Sequence, residues 1–438
     1  MSEAIRLVVY ALVSRLFHQP YVLRIIADVM RRLPGLNRVL PTILVARRDA
    51  VVELTRRTAD FSHAPYWPSL VAGPFVIAED DDAKVERDRE ALLDWLPKPA
   101  PVAGAGQNHC ARGMPGPMEA GHASLASARR SIARLRDAGA TSIDLIDDYL
   151  MDLVWRELAS HFGDEADALL ELADRDARLA FLGELRQLGA QLVIGWIAPA
   201  AVRERARTCA NRVNERVDGA LARIAGVAMP QRDLRFRQRL VGLMWVGHPA
   251  TVQGGALLLQ ELFERPEILA SLGERALRLG DTVWTDIGFR QEIRRHVLEL
   301  LRFRPIFPFL PRMALRDCSC DVGGGVNVRV KAGGRVVAMT AGAAFDDEAN
   351  WAPEVYRPGR YRDGTSWARC PEDELLSFGF GARQCVAFHV VIETLTSALT
   401  GMLTLPRLRW ARRRLFQPRI EYDGVIVAHM QVTFDPLG

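Results

Sequence analysis

Eight residues near the end of the chain constrain it most: Phe378-Gly379-Phe380-Gly381-Ala382-Arg383-Gln384-Cys385, followed from Val386 by an apolar, helix-like run. A cysteine placed after a glycine-punctuated loop and just ahead of a helix is positioned where a thiolate can be held still. Glycine has no Cβ and tolerates positive φ, so the loop backbone can approach a flat partner closely. Amides at the helix start stabilise negative charge on sulfur. Arg383, two residues before the cysteine, offers a fork of donors to a carboxylate. Taken alone, the stretch is also compatible with a loop that buries a structural cysteine.

A thiolate, a nearby cation and a close backbone suit a haem with its two propionates. The loop resembles the haem-binding loop of the cytochrome P450 family, which has Phe seven residues before the cysteine, Gly four before, Arg two before and Gly two after. Phe378, Gly381, Arg383 and Cys385 occupy the first four places, and Ala387 stands where the last glycine is expected. That departure is mild, because only close packing of the helix start is at stake. Two more elements lie upstream in the family's order. Glu299 and Arg302 are three apart in the helical run 293–302, and Phe307-Pro308-Phe309-Leu310-Pro311-Arg312 ends that helix. Tyr356-Arg357-Pro358-Gly359-Arg360-Tyr361 resembles the family's meander, whose arginine completes a Glu-Arg-Arg cluster. By itself Glu299–Arg302 reads as a surface helix pair, and Glu292-x-x-Arg295 shows how readily that spacing arises.

The resemblance implies a mainly α fold with a smaller β-rich part, the cytochrome P450 fold, as a single domain over residues 1–438. It implies haem b (iron protoporphyrin IX), with Cys385 as the axial ligand to the iron and Gly379 and Gly381 in the ligand loop. Phe378 would pack against that loop, and Arg383, Arg312 and Arg89 would contact the propionates. Near Arg89 the family often has a histidine as well; here the helix after Glu79-Asp80-Asp81-Asp82 offers Lys84, Arg87 and Arg89, with Val85 at the histidine's place and Arg87 as a substitute for Arg89. Glu299, Arg302 and Arg360 would form a buried, structural ion cluster, since a desolvated charge is costly once a partner is lost. Phe307, Phe309, Leu310 and the region Leu192 to Ile197 would line a substrate pocket suited to a small apolar or amphipathic molecule. His296 and His389, in helical runs, read as packed or solvent-facing.

The oxygen-activating helix of the family would run through Leu240 to Leu262. Its usual Ala-Gly-x-Asp/Glu-Thr appears here as Val246-Gly247-His248-Pro249-Ala250-Thr251. Gly247 aligns, Pro249 takes the acid's place, Ala250 the threonine's, and Thr251 falls on a second threonine's position. Proton delivery needs a donor within hydrogen-bond reach, which neither Pro nor Ala provides. Pro249 also removes an amide and kinks a helix. Three readings follow for the expected catalytic set Gly247, His248, Ala250 and Thr251. In one, Thr251, His248 or a substrate hydroxyl supplies the proton to an ordinary O2-dependent monooxygenase. In another, a peroxygenase uses H2O2, with His248 as acid-base group or anion anchor. In the third, the haem-thiolate protein performs non-oxygenating chemistry or only binds a ligand. His248 also has a packing reading, turned away from the iron.

With 438 residues, 49% of them apolar, the chain has material for a large core, and length alone suggests two or three domains. Helical periodicity marks 143–162, 165–188, 202–224, 240–262 and 386–403; strand alternation marks 326–330 and 425–427. Residues 97–119, rich in Pro, Gly and Ala, read as a long loop insertion, with no chemistry assignable to His109 or Cys110. Cysteines 110, 209, 318, 320, 370 and 385 lack disulfide or zinc spacing and indicate a reducing, cytoplasmic compartment. Leu7 to Val13, bracketed by Arg6 and Arg15, is too short to span a bilayer, and no small-residue cleavage site follows it. The segment reads as a helix packed on the domain or lying on a membrane, with no transmembrane anchor. A net charge of +4 is too small to imply a nucleic-acid partner, and none is expected. Arg407, Arg409, Arg412, Arg413 and Arg414 form either a solvated turn or a dock for a ferredoxin- or flavodoxin-type electron donor.

Overall fold

A computed structural model describes residues 3–93, 117–159, 166–223, 234–361, 375–411 and 419–437. Helices dominate, and the one that organises the core is Phe388–Leu403. It is apolar on all sides and buried along nearly its whole length. Two of its hydroxyls are satisfied within the helix: Thr396 and Thr400 donate to the carbonyls four residues back, at 2.7 and 2.8 Å; the Thr394 hydroxyl lies 3.2 Å from that of Ser124. Gly401 has no Cβ to block Tyr149, whose hydroxyl donates to the Ala398 carbonyl at 3.0 Å. Around this rod pack the helices Pro117–Asp137, Met151–Ala159, His248–Phe263 and Ile287–Phe303. Trp155, Trp245, Tyr149 and Phe181 fill the space between them and are fully buried.

The β part flanks this body. Thr42–Val45 runs parallel to Arg335–Ala338, which pairs antiparallel with Leu310–Ala314, and the short strand Phe61–Ser62 closes that sheet. A second sheet is built on Ile426–Thr433, flanked by Ser142–Asp144, Arg409–Trp410 and Ile420–Asp423. Cys318–Asp321 and Asn327–Val330 form a hairpin.

Several sequence boundaries move. The run 143–162 is a strand to Asp144, then a wide turn of helix Leu145–Leu150 with five-residue spacing, then Met151–Ala159; pairing of Ser142–Asp144 with residues 431–433 claims its start. The run 165–188 breaks before Arg175, where Asp174 caps a new helix by accepting from the Ala177 amide at 2.8 Å. The 97–119 loop lies outside the described residues up to 116, and from Pro117 the backbone is helical. The run 240–262 is not one α-helix: Leu234–Gly242 leads into a π turn, Leu243–Gly247, and then His248–Phe263. Pro249 falls at this junction, where helical hydrogen bonding is already reset, so its missing amide disturbs little.

The same junction fixes a close contact. A Cβ on Gly189 would lie 2.5 Å from the Pro249 Cβ and 2.7 Å from its Cγ. The helix Arg175–Ile194 therefore approaches the kinked helix only because residue 189 is glycine. Gly189→Ala is expected to cost about 1–3 kcal/mol by overpacking, read as a lower urea midpoint at unchanged m-value.

Candidate functional site

Gly379 and Gly381 both have positive φ, +80° and +63°, and a Cβ on Gly379 would sit 2.7 Å from the Arg383 carbonyl oxygen. The loop thus folds tightly on itself. The Cys385 amide donates to the Phe378 carbonyl at 2.7 Å, and the Phe378 ring meets Phe388 edge-on at 4.9 Å between centroids. Cys385 is half-buried and faces a cavity with an empty volume of about 1140 Å³, part of it open to solvent. Burial pushes its thiol pKa up, opposed by a hydrogen bond from the Ala387 amide and by the charge of Arg89.

Part of the cavity is cationic. Arg89, Arg312 and Arg383 all line it. Arg89, from the helix Asp82–Leu93, donates to the Gln384 carbonyl. Arg312, fully inside on the strand Leu310–Ala314, donates to its neighbour's carbonyl, Pro311, at 2.8 Å, and bonds the Tyr66 hydroxyl. Burial lowers the pKa of both Arg89 and Arg312. Arg383 gives one nitrogen to Asp82, while its Nε and Nη1 are buried without a hydrogen-bond partner among the described residues. Gln384 Nε2 is in the same position. Arg87 instead borders a neighbouring polar cleft, and Val85 faces the cavity at the place where a histidine was expected.

Among the cavity residues not foreseen from sequence, two bring polar groups from outside the motifs. His63 and Tyr66 reach the cavity from a turn that follows the short strand Phe61–Ser62. His63 donates its amide to Asp80 at 2.7 Å, and its Nδ1 lies 3.2 Å from the same oxygen. Burial, and then the charge of Arg312, bring its pKa down to about 4. Burial opposes ionisation of Asp80, yet hydrogen bonds from His63 and Ser62 hold it at about 2. His-Ala-Pro-Tyr carries no periodic signal, and only the sheet brings it to this cavity.

The rest of the lining is nearly apolar. Gly247, Ala250 and Thr251 belong to it, with Leu192, Val246 and Ile306. The Thr251 hydroxyl donates back to the Gly247 carbonyl at 2.8 Å, so its proton is held by the helix. His248 departs from expectation. It is 1% exposed, with Nε2 3.3 Å from the Met151 carbonyl, and it is not among the cavity residues. The π turn before it rotates the following residues, turning His248 into packing and removing it as an acid-base group or anion anchor. Phe309 also departs: its ring centroid lies 5.9 Å from that of Phe17, while its neighbour Leu310 faces the cavity, because successive residues entering a strand point to opposite sides; Phe307, ahead of the strand, also lines the cavity. Of the region Leu192 to Ile197, Leu192 reaches the cavity, whereas Ile194 and Ile197 pack with Phe17 and Phe309.

Burial lowers the His248 pKa to about 4. The unfolded chain takes up that proton near pH 6.5 and the native state does not until about pH 4. Stability is therefore full above pH 6.5 and falls by about 1.4 kcal/mol per pH unit for this group as pH drops through that window. His248→Gln, which keeps a donor for Met151, is expected to flatten the pH dependence of the urea-unfolding free energy by that slope.

Beneath the loop, Glu299 is fully buried. Arg302 donates to it from Nε and Nη2 at 3.0 and 2.8 Å, and the Arg357 amide donates at 2.9 Å. Arg360 Nε stands 2.9 Å from Oε2 as an ion pair, out of line for a hydrogen bond. By contrast, Glu292 pairs with Arg275 at the surface. Arg407 and Arg409 both bind Asp435, and residues 412–414 lie outside the described residues. His296 Nδ1 lies 2.8 Å from the Tyr356 hydroxyl.

Solved structures share this architecture. The haem domain of a cytochrome P450 from Tepidiphilus thermophilus is 18% identical, with a TM-score of 0.62 over 94% of each chain. P450BioI, in complex with an acyl carrier protein ligated to hexadec-9Z-enoic acid, is 15% identical, with a TM-score of 0.66 over 96% of this chain and 99% of that one. The fold is therefore that of the cytochromes P450. In sequence, the cytochrome P450 family model matches residues 187–403, and trimethyltridecatetraene synthase of Zea mays is 30% identical over 155 residues, 33% of this chain. That match spans 27% of the maize enzyme's own length. The chain belongs to the cytochrome P450 family.

The family implies a haem, and the residues present fit one. Arg312 and Arg383 present buried guanidinium groups and Arg89 a half-buried one; beyond the pair with Asp82, two Arg383 nitrogens have no hydrogen-bond partner among the described residues, which is costly, and two propionates would answer that need. The cysteine faces the same space.

Proposed function

We propose that this protein is a haem-thiolate monooxygenase of the cytochrome P450 type that hydroxylates a small apolar or amphipathic molecule. The observation that carries the reading is a single cavity lined by Cys385 and by Arg89, Arg312 and Arg383, with mostly apolar side chains over the rest of its surface. Haem b, when bound, would supply the oxidation of an unactivated carbon centre. Cys385 would bind its iron as thiolate. Arg383 Nε and Nη1, with Arg312 and Arg89, would orient its propionates, and Phe378 would pack beside the sulfur. Gly247 and Ala250 leave room in the cavity lining. Leu192, Val246, Ile306, Phe307 and Leu310 would exclude water and hold the substrate.

Electrons would come from a ferredoxin- or flavodoxin-type donor in the cytoplasm, and the whole chain would act as one catalytic domain. Among the described residues no helix is long and apolar enough to cross a membrane. Proton supply rests on Thr251, whose hydroxyl must leave the Gly247 carbonyl to donate into the cavity. That constraint, with Pro249 at the acid's place, supports a second reading in which H2O2 replaces O2 and electrons. Turnover of lipid and terpenoid substrates with donor plus O2, against peroxide alone, separates the two. Products only with peroxide would overturn the first reading, and absence of both activities would overturn both.

A further inference from the structure

Large apolar side chains exposed on the surface are not scattered evenly. Of eighteen such residues among those described, twelve lie between Ile5 and Leu40. They come from the helix Glu3–Phe17, the helix Pro20–Arg32 that packs beside it, and the 3-10 turn Pro34–Arg38 with the residues after it. Val8, Ile25 and Val39 are 66%, 64% and 78% exposed. A clustered patch of this kind marks an interaction surface.

Charge is concentrated in the same stretch. Residues 1–40 contain six arginines against Glu3 and Asp28, an excess equal to the +4 of the whole chain, so the remainder is balanced. Arg15, Arg32 and Arg38 are exposed amid the apolar side chains. Arginines that extend their heads beside an apolar strip are what an interfacial helix needs on an anionic bilayer. Arg24 and Arg31 are buried and Arg32 pairs with Asp28, so the surface excess rests chiefly on Arg15 and Arg38; a two-fold contact between copies would set this net-positive patch against itself. Neither helix can cross the bilayer: fifteen residues rise about 22 Å, against about 30 Å of hydrocarbon.

We propose that the outer face of residues 5–40 lies in the plane of an anionic lipid surface. The inner side of the first helix gives this placement a use, which rests on the monooxygenase reading. Phe17, at its end, bounds with Gly189, Pro249 and Ile426 an apolar side lobe. That lobe shares Leu192, Ala250 and Phe307 with the main cavity. The substrate class is then a lipophilic molecule taken from the bilayer.

The test is sedimentation of the full chain with phosphatidylcholine vesicles, with and without phosphatidylglycerol. Binding to the anionic vesicles should be about tenfold stronger and should weaken with salt. Leu12→Glu with Ile25→Glu should lower it about tenfold, leaving circular dichroism and the carbon-monoxide spectrum unchanged. Arg15→Glu with Arg38→Glu should remove the preference for anionic lipid. Equal sedimentation of wild type and the Leu12/Ile25 variant would overturn the proposal. So would a concentration-dependent dimer abolished by those substitutions without vesicle binding. Vesicle binding requires no turnover, so it stands or falls separately from the catalytic reading.

Discussion

Replacing Cys385 with serine should abolish the red-shifted carbon-monoxide band of the reduced protein and reduce turnover to background. The serine hydroxyl is not ionised at neutral pH and donates far less electron density than a thiolate. Burial already pushes the Cys385 thiol up, so its ionisation depends on the metal together with the Ala387 amide and Arg89. Arg89, Arg312, Arg383 and the apolar walls remain in the variant, so haem uptake should persist in part, and the change should appear in the position of the band more than in haem content. Cys209 and Cys320 lie buried elsewhere in the fold. Their replacement by alanine should leave the band in place, which makes them the control. A Cys385→Ser protein that kept the wild-type band would place the ligand at another residue.

Glu299→Ala is expected to lower the unfolding free energy by about 3–5 kcal/mol. The carboxylate, itself without exposure to water, receives two bonds from Arg302, one from the Arg357 amide and the charge of the half-buried Arg360. Arg302, 3% exposed and stacked on Phe303 and Phe345 at 4.5 Å from each ring, would be left as a buried cation without its counter-ion. Glu292→Ala, which removes a carboxylate paired with Arg275 near the surface, should cost less than about 1 kcal/mol. Urea unfolding of the two variants measures the contrast directly. Equal losses would mean that the buried cluster contributes no more than a solvated pair.

What could be read in advance was whatever depends on neighbours in sequence. The cysteine loop is local: its glycines, arginine and sulfur lie within eight residues, and its conformation follows from positive φ at Gly379 and Gly381. Glu299 and Arg302 are one helical turn apart, so their contact is implied by spacing. His63 and Tyr66 were invisible because the pairing of Phe61 and Ser62 with Ala314 and Met313, far along the chain, is what brings them beside Arg312. His248 stayed open between an acid-base role and packing because a kink at Pro249 does not by itself say which way the following side chains turn. The π turn Leu243–Gly247 inserts one residue into the turn and rotates every later side chain by about 100°. Phe309 failed for a simpler reason, since its aromatic character says nothing about which side of a strand entry it takes.

The central claim is that the sulfur of Cys385 and the three arginines form one haem site. The visible spectrum of the full chain loaded with haem b, reduced and saturated with carbon monoxide, tests it most directly. A red-shifted thiolate band is the expected result; a band of the histidine-ligated kind, or no haem retained, would contradict it.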